Sequence, residues 1–201
     1  MKQESWRQAI ASFKLEAEAL EMTADAIGRD DFEKAVGALC GAQRIAASGC
    51  GHTGIACAHF AHSMCCIEKP ARFIPPSEGV HGASGFIQAG DVIVLASRGG
   101  KTAELLPLLR IAKKKKATVI AVTQNLSSPL AAESDIVLPM QLARESDKFD
   151  SQGTCSFVAL CGVFDALQVA LIEETGFEIA QFAISHPGGA VGQRLNELED
   201  A

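Results

Sequence analysis

The sequence predicts an α/β domain built on an open, doubly wound sheet of five parallel strands flanked by helices. Three observations predict it. Apolar strand-like runs alternate with helical segments, which is the βαβ rhythm of parallel strands joined by right-handed crossovers. The runs are continuously apolar, as in strands covered on both faces. The 201 residues are 48% hydrophobic, enough for one domain with a full core, and no linker marks a second one.

The elements follow in order. Residues 4–27 place Trp6, Ile10, Phe13, Ala17 and Leu20 at helical spacing. DDFEKAVGALCGA is a second helix, with Asp30 or Asp31 as its N-cap. Residues 1–43 are thus an N-terminal helical segment, and 44–201 hold the α/β core and C-terminal helices. RIAASG is a strand, IACAHFAHSMCCIE a helix and ARFI a short strand. DVIVLAS, a strand, leads into the helix TAELLPLLRIAKKKK. Its closing run Lys113–Lys116 complements the helix dipole and stays solvated. ATVIAVTQ, the short helix SPLAAES and DIVLPM complete the sheet. TCSFVALCGVFDALQVALIEETG is a long apolar helix. FEIAQFAISHPGGAVGQRL reads as helix, turn and the start of another helix.

Composition excludes several functions. A net charge of −6 and a pI near 5.4 argue against nucleic acid or an anionic membrane as partner. No uninterrupted apolar stretch reaches the roughly 20 residues of a membrane span. The acid-bearing N-terminus lacks a signal-peptide core, so a cytoplasmic location is expected. Seven cysteines in mostly apolar runs read as small buried hydrophobes in a reducing compartment. Tyrosine is absent and Trp6 is the single tryptophan, which disfavours aromatic binding platforms.

In an open parallel sheet, ligands bind beyond the strand C-termini. Two strand ends carry small-residue turns, SGCGHTG (Ser48–Gly54) and SRGGKTAE (Ser97–Glu104), each feeding a helix. Small residues let backbone N–H groups approach an anion, and a helix N-terminus adds positive potential. Hydroxyls sit in both, Ser48 and Thr53 in one, Ser97 and Thr102 in the other. A nucleotide fits poorly. A Walker loop needs glycine where Leu95 stands, and GCGHTG has no acid ending the next strand beyond Glu78. The pattern points to a smaller phosphate.

His52 lies in the first loop, and His81 and His186 lie among glycines. His59 and His62 share a helix face near Cys65 and Cys66, but no C-x-x-C pair supports a metal, and they are read as structural. Glu145 and Asp147 follow the last strand in RESDKFDSQG, where they can face a ligand. Asp165 is a core or interface group, and Glu104 a helix-capping acid in the first turn after SRGGK.

Together GCGHTG, EGVHGASGF, ASRGGKTAELL and SHPGGAVGQRL resemble the SIS (sugar isomerase) domain, and within it the arabinose-5-phosphate isomerase branch. HPGGAxGxRL is the most specific match, with Val191 where the family usually has leucine. The similarity runs in order from about Arg44 to Leu195. It implies a three-layer, flavodoxin-like sandwich that binds a sugar phosphate. It also implies aldose–ketose isomerisation with no metal or organic cofactor, and a homo-oligomer, dimer or tetramer. The branch often appends paired regulatory domains, which this sequence is expected to lack.

The resemblance assigns sugar-phosphate contacts to Ser48, Gly51, Thr53, His81, Ser97, Arg98, Gly100, Lys101 and Thr102. Departures are specific. His52 replaces the lysine and Thr53 the serine of GxGKSG. In the phosphate loop Gly99 replaces a serine and Lys101 a glutamate. Ala83 replaces the aspartate of the HGD turn, and DKFDSQGT replaces CPLGLAPT. Isomerisation needs a base to move a proton between C1 and C2 through an enediol, and an acid–base pair to open the ring. Glu145 is the expected base, His186 the ring-opening or shuttling group, and His52 the donor to a substrate oxygen. His186 is expected to be shared between subunits. The alternative is a non-catalytic module that only senses a phosphosugar, which the changes at His52, Gly99, Lys101 and Ala83 favour.

Overall fold

The protein is described by a computed structural model covering residues 1–199. Two helices lead, α1 (Gln3–Ala26) and α2 (Arg29–Gly41). The chain then alternates β1 (Ile45–Ser48), α3 (Gly51–Cys66) and β2 (Ala71–Phe73). A short helix α4 (Pro76–Gly79) and a 3-10 turn over Ala83–Phe86 precede β3 (Val92–Ala96). There follow α5 (Leu106–Lys114), β4 (Thr118–Thr123), α6 (Pro129–Glu133) and β5 (Ile136–Pro139). The chain closes with α7 (Cys155–Thr175), α8 (Ile179–Ser185) and α9 (Gly189–Glu199).

The five strands are parallel in the order β2-β1-β3-β4-β5. Their registers pair Ala47 with both Phe73 and Val94, Val94 with Ile120, and Val122 with Leu138. The continuous apolar runs are explained by the two layers they touch. On one face Ile45, Ala47, Val94, Ala96, Ile120 and Val122 pack against α1, α2, α3 and α7. On the other, Ala46, Ile93, Leu95, Val119 and Ala121 meet Leu105, Leu108, Leu109 and Leu130. Phe60 of α3 stacks on Phe164 of α7 with ring centroids 4.6 Å apart, both fully buried. Truncating either to alanine costs about 3–5 kcal/mol.

Several expectations shift. α2 is preceded by Gly28, and neither Asp30 nor Asp31 caps it; both lie in its first turn, where they favour the dipole. The stripe Trp6, Ile10, Phe13 and Leu20 on α1 points outward, with Phe13 71% exposed. α1 instead buries Ala19 and Thr23, the latter by hydrogen bonds with the backbone of Gln141. Among the described residues only α7 is long and apolar enough to cross a membrane. Here it is a packed helix, with Leu160, Val163, Phe164, Leu167 and Leu171 buried.

β1 crosses to β2 on one side, and the chain then returns to β3 on the other. The C-terminal ends of β1 and β3 therefore flank the switch point, where the sheet opens a crevice.

Candidate functional site

Beyond β1 the chain turns through Gly49 and Cys50 directly into α3. His52 and Thr53 are thus in the first helical turn, not in a loop. The turn is tight. A Cβ on Gly54 would sit 2.6 Å from the Gly49 carbonyl oxygen, and one on Gly49 would meet Thr53 at 2.9 Å. Bare backbone is required at both. The first helical hydrogen bond is donated by Gly54 to Cys50. The N–H groups ahead of it point out of the helix and suit an anion.

Beyond β3 the loop Ser97–Thr102 is folded on itself. Ser97 accepts hydrogen bonds from the Gly100 N–H through both its carbonyl and its hydroxyl, and its Oγ lies 2.8 Å from Thr102 Oγ1. Gly100 has φ +63°, and a Cβ there would fall 2.0 Å from Ser128 Oγ. No helix starts here, contrary to expectation. Pro107 sits at the opening of α5, which begins only at Leu106. Glu104 is therefore in the intervening turn and caps nothing. It is exposed and has no hydrogen-bond partner among the described residues. It lines a cleft of about 460 Å³ with Gly49, Cys50, Gly51, Ile55, Phe73 and Pro75–Ser77. Burial, and then the Glu104 carboxylate, push the Cys50 thiol above its ordinary range.

In the sequence Glu104 reads as a helix cap, because it is an acid just before an apolar helical run. The signal that separates the two is Pro107, which delays the helix.

On the α7 side of the crevice, His52 faces Phe157 edge-on at 6.5 Å, and a Cβ on Gly153 would lie 3.1 Å from His52 Nδ1. Glu145 is 1% exposed and so does not face open solvent at the sheet edge. Its Oε1 accepts from Arg98 Nη1 at 2.9 Å. Its Oε2 accepts from Thr154 N–H, Thr154 Oγ1 and Ser156 N–H at 3.0–3.2 Å, which fixes the start of α7. Arg98 Nε also donates to Gln124 Oε1 at 3.1 Å, and Gln124 Nε2 donates to the Leu142 carbonyl. A polar belt thus crosses the ends of β3, β4 and β5.

The remaining residues are dispersed. Ser48 is fully buried and donates to the Ile74 carbonyl at 2.6 Å, so its hydroxyl ties β1 to the chain after β2 instead of facing a ligand. Lys101 is exposed, and His81 is exposed in the turn after α4. Asp147 organises the loop before α7, accepting from the N–H groups of Phe149, Ser151 and Gln152. Those bonds, led by that of Gln152, hold its carboxyl below the usual range. His59 pairs with Asp165 at 3.5 Å on the exposed faces of α3 and α7, away from the crevice.

His186 lies at the other edge of the sheet. α3 runs 16 residues, about 24 Å, away from the crevice. At its far end Gln181 of α8 bonds Glu68, and Phe182 lines a cleft with Cys66, Ile67 and Ile172. His186 follows the last residue of α8, its ring tilted 35° against Phe182 with centroids 4.9 Å apart. Its buried Nδ1 has no hydrogen-bond partner among the described residues. Within one chain it does not meet the other predicted site residues.

Comparison with known proteins matches this architecture. The model of the SIS domain family fits residues 38–170. The arabinose 5-phosphate isomerase KdsD of Pseudomonas aeruginosa is 36% identical over 182 residues, 90% of this chain and 56% of that protein. The chain spans about half the length of the curated relatives it matches. A solved chain from Listeria monocytogenes superposes with TM-score 0.90 at 35% identity, covering 94% of this chain and all of its own. An Escherichia coli CFT073 protein solved in complex with a sugar phosphate superposes at 0.86, with 29% identity over 93% of this chain and all of its own. The strand order, the two strand-end turns and the family match agree, and the chain belongs to the SIS domain family.

Proposed function

We propose that the protein is a phosphosugar isomerase, interconverting an aldose phosphate and a ketose phosphate by proton transfer through an enediol. The observation that carries the proposal is Glu104, an exposed carboxylate without a partner among the described residues, lining a cleft beside the bare first turn of α3. In this reading the phosphate meets the backbone of the Gly49–Gly51 and Ser97–Thr102 turns, and Lys101 adds attraction. Glu104 is placed where it can take a proton from a sugar carbon held in the cleft. Glu145 is a poorer base, since its carboxylate is buried and holds four hydrogen bonds, one from Arg98. His52 donates to a substrate oxygen. Similarity to relatives named arabinose 5-phosphate isomerase, and to a structure holding a sugar phosphate, supports this substrate class.

The proposal includes self-association. Trp6, Phe13, Ile55, Val169 and Ile184 are exposed apolar side chains on α1, α3, α7 and α8, available to a second copy. His186, stranded from its own crevice, serves the crevice of a neighbouring subunit and assists ring opening there.

Complementation tests both parts. Glu104→Gln and His186→Asn proteins should each lose turnover, by about 10²–10⁴-fold for the base. Mixed and reassociated, they should regain activity, up to about a quarter of the sites in a randomly mixed dimer. No recovery on mixing would place His186 outside a shared site. Full activity of Glu104→Gln would remove Glu104 as the base.

A further inference from the structure

We infer that Glu145 is a positioning residue, and that it acts by presenting Arg98 as a fixed cation for the substrate phosphate; the inference rests on the phosphosugar reading above. A carboxylate offers about four lone-pair sites. Glu145 accepts four hydrogen bonds: Oε2 is saturated by Thr154 N–H, Thr154 Oγ1 and Ser156 N–H, and Oε1 takes Arg98 Nη1. Its side chain is 2% exposed, so the lone pair that Oε1 keeps is shut away from a substrate proton.

Arg98 is the opposite case. It stands two residues beyond β3, in the same turn as Ser97 and Thr102, and its side chain is 37% exposed. Nε is held by Gln124 and Nη1 by Glu145, which fixes the guanidinium plane from two sides. The backbone is fixed as well, since the Arg98 carbonyl accepts from Gln124 N–H and Thr123 Oγ1. Of five guanidinium N–H donors, two are used in these bonds, leaving three. A planar cation with spare donors and little rotamer freedom left to lose matches a phosphate dianion.

The pairing also explains the loop. The hydroxyls of Ser97 and Thr102 are bonded to each other, so the turn presents less side-chain hydroxyl than its composition suggests. Arg98 supplies the charge that those hydroxyls do not.

The test is a double-mutant cycle read as binding, not turnover. Arg98→Lys, Glu145→Gln and the double variant are titrated calorimetrically with arabinose 5-phosphate and with inorganic phosphate. Unphosphorylated arabinose is the control. Arg98→Lys should raise Kd for both phosphate ligands about tenfold. Glu145→Gln should raise it comparably although it touches no ligand. The double variant should match Arg98→Lys within about twofold, because Glu145 acts through Arg98. A melting midpoint for each variant reports folding separately. A Glu145→Gln protein that is folded and binds both phosphates normally overturns the inference, as do multiplying effects in the double variant. So does an unsubstituted protein that binds neither phosphate. Normal affinity in the variants, with binding by the unsubstituted protein, removes only the Arg98 role and leaves the phosphosugar proposal standing.

Discussion

Arg98 and Glu145 are 47 positions apart in the chain and meet at 2.9 Å across the C-terminal edge of the sheet. The pair joins the β3 turn to the start of α7, and Gln124 extends it to the end of β4. It therefore couples the Ser97–Thr102 turn to the segment that carries Gly153 against His52. Glu145 is almost wholly buried and Arg98 is not, so removing Arg98 leaves a buried carboxylate held only by Thr154 and Ser156.

The Gly100 turn gives a direct stability prediction. Alanine there takes on φ +63° and a Cβ 2.0 Å from the hydroxyl that caps α6. Left-handed strain and overpacking together should cost about 2–4 kcal/mol in urea unfolding. A loss below about 1 kcal/mol would show that the turn is not fixed as described.

Asp147 gives a pH prediction. Its native carboxyl pKa lies below the ordinary 3.8, so the stabilisation it gives the 147–152 loop is full above that value. It is lost as pH falls through the lower native value. A carbon-detected NMR titration should find the Asp147 midpoint below 3.8, with the Gln152 amide shifting at the same midpoint. A midpoint at or above 3.8 would contradict the hydrogen bonding.

Cys50 reports on Glu104. Burial raises the thiol pKa first and the Glu104 carboxylate adds to it. Glu104→Gln removes the second cause, and Cys50 alkylation by iodoacetamide at about pH 8 should speed up, roughly twofold. Peptide mass spectrometry separates Cys50 from the exposed Cys65. An unchanged Cys50 rate would mean that Glu104 does not face the cleft.

The strands and α7 were legible in the sequence, because burial on both faces leaves an uninterrupted apolar signal. Gly49 and Gly100 were legible as turn residues, since close approach admits nothing larger; Gly54, which reads as part of the turn, lies in α3. What failed was local geometry that proline and packing decide. Pro107 delays α5 and frees Glu104, while the α3 helix starts early enough to take in His52. Periodicity found the amphipathic stripe of α1 but not which way it faces; in one chain Phe13 points to solvent. The Arg98–Glu145 pair and the remoteness of His186 depend on long-range packing, to which spacing in the sequence is blind.

The most direct measurement is NMR of the protein with arabinose 5-phosphate in deuterated water. The proposal predicts a ketose phosphate product, with deuterium entering at the carbon next to the carbonyl as the proton crosses the enediol. Binding of arabinose 5-phosphate and of a panel of pentose and hexose phosphates, with neither aldose–ketose exchange nor deuterium uptake in any, would contradict it and leave a phosphosugar-sensing module.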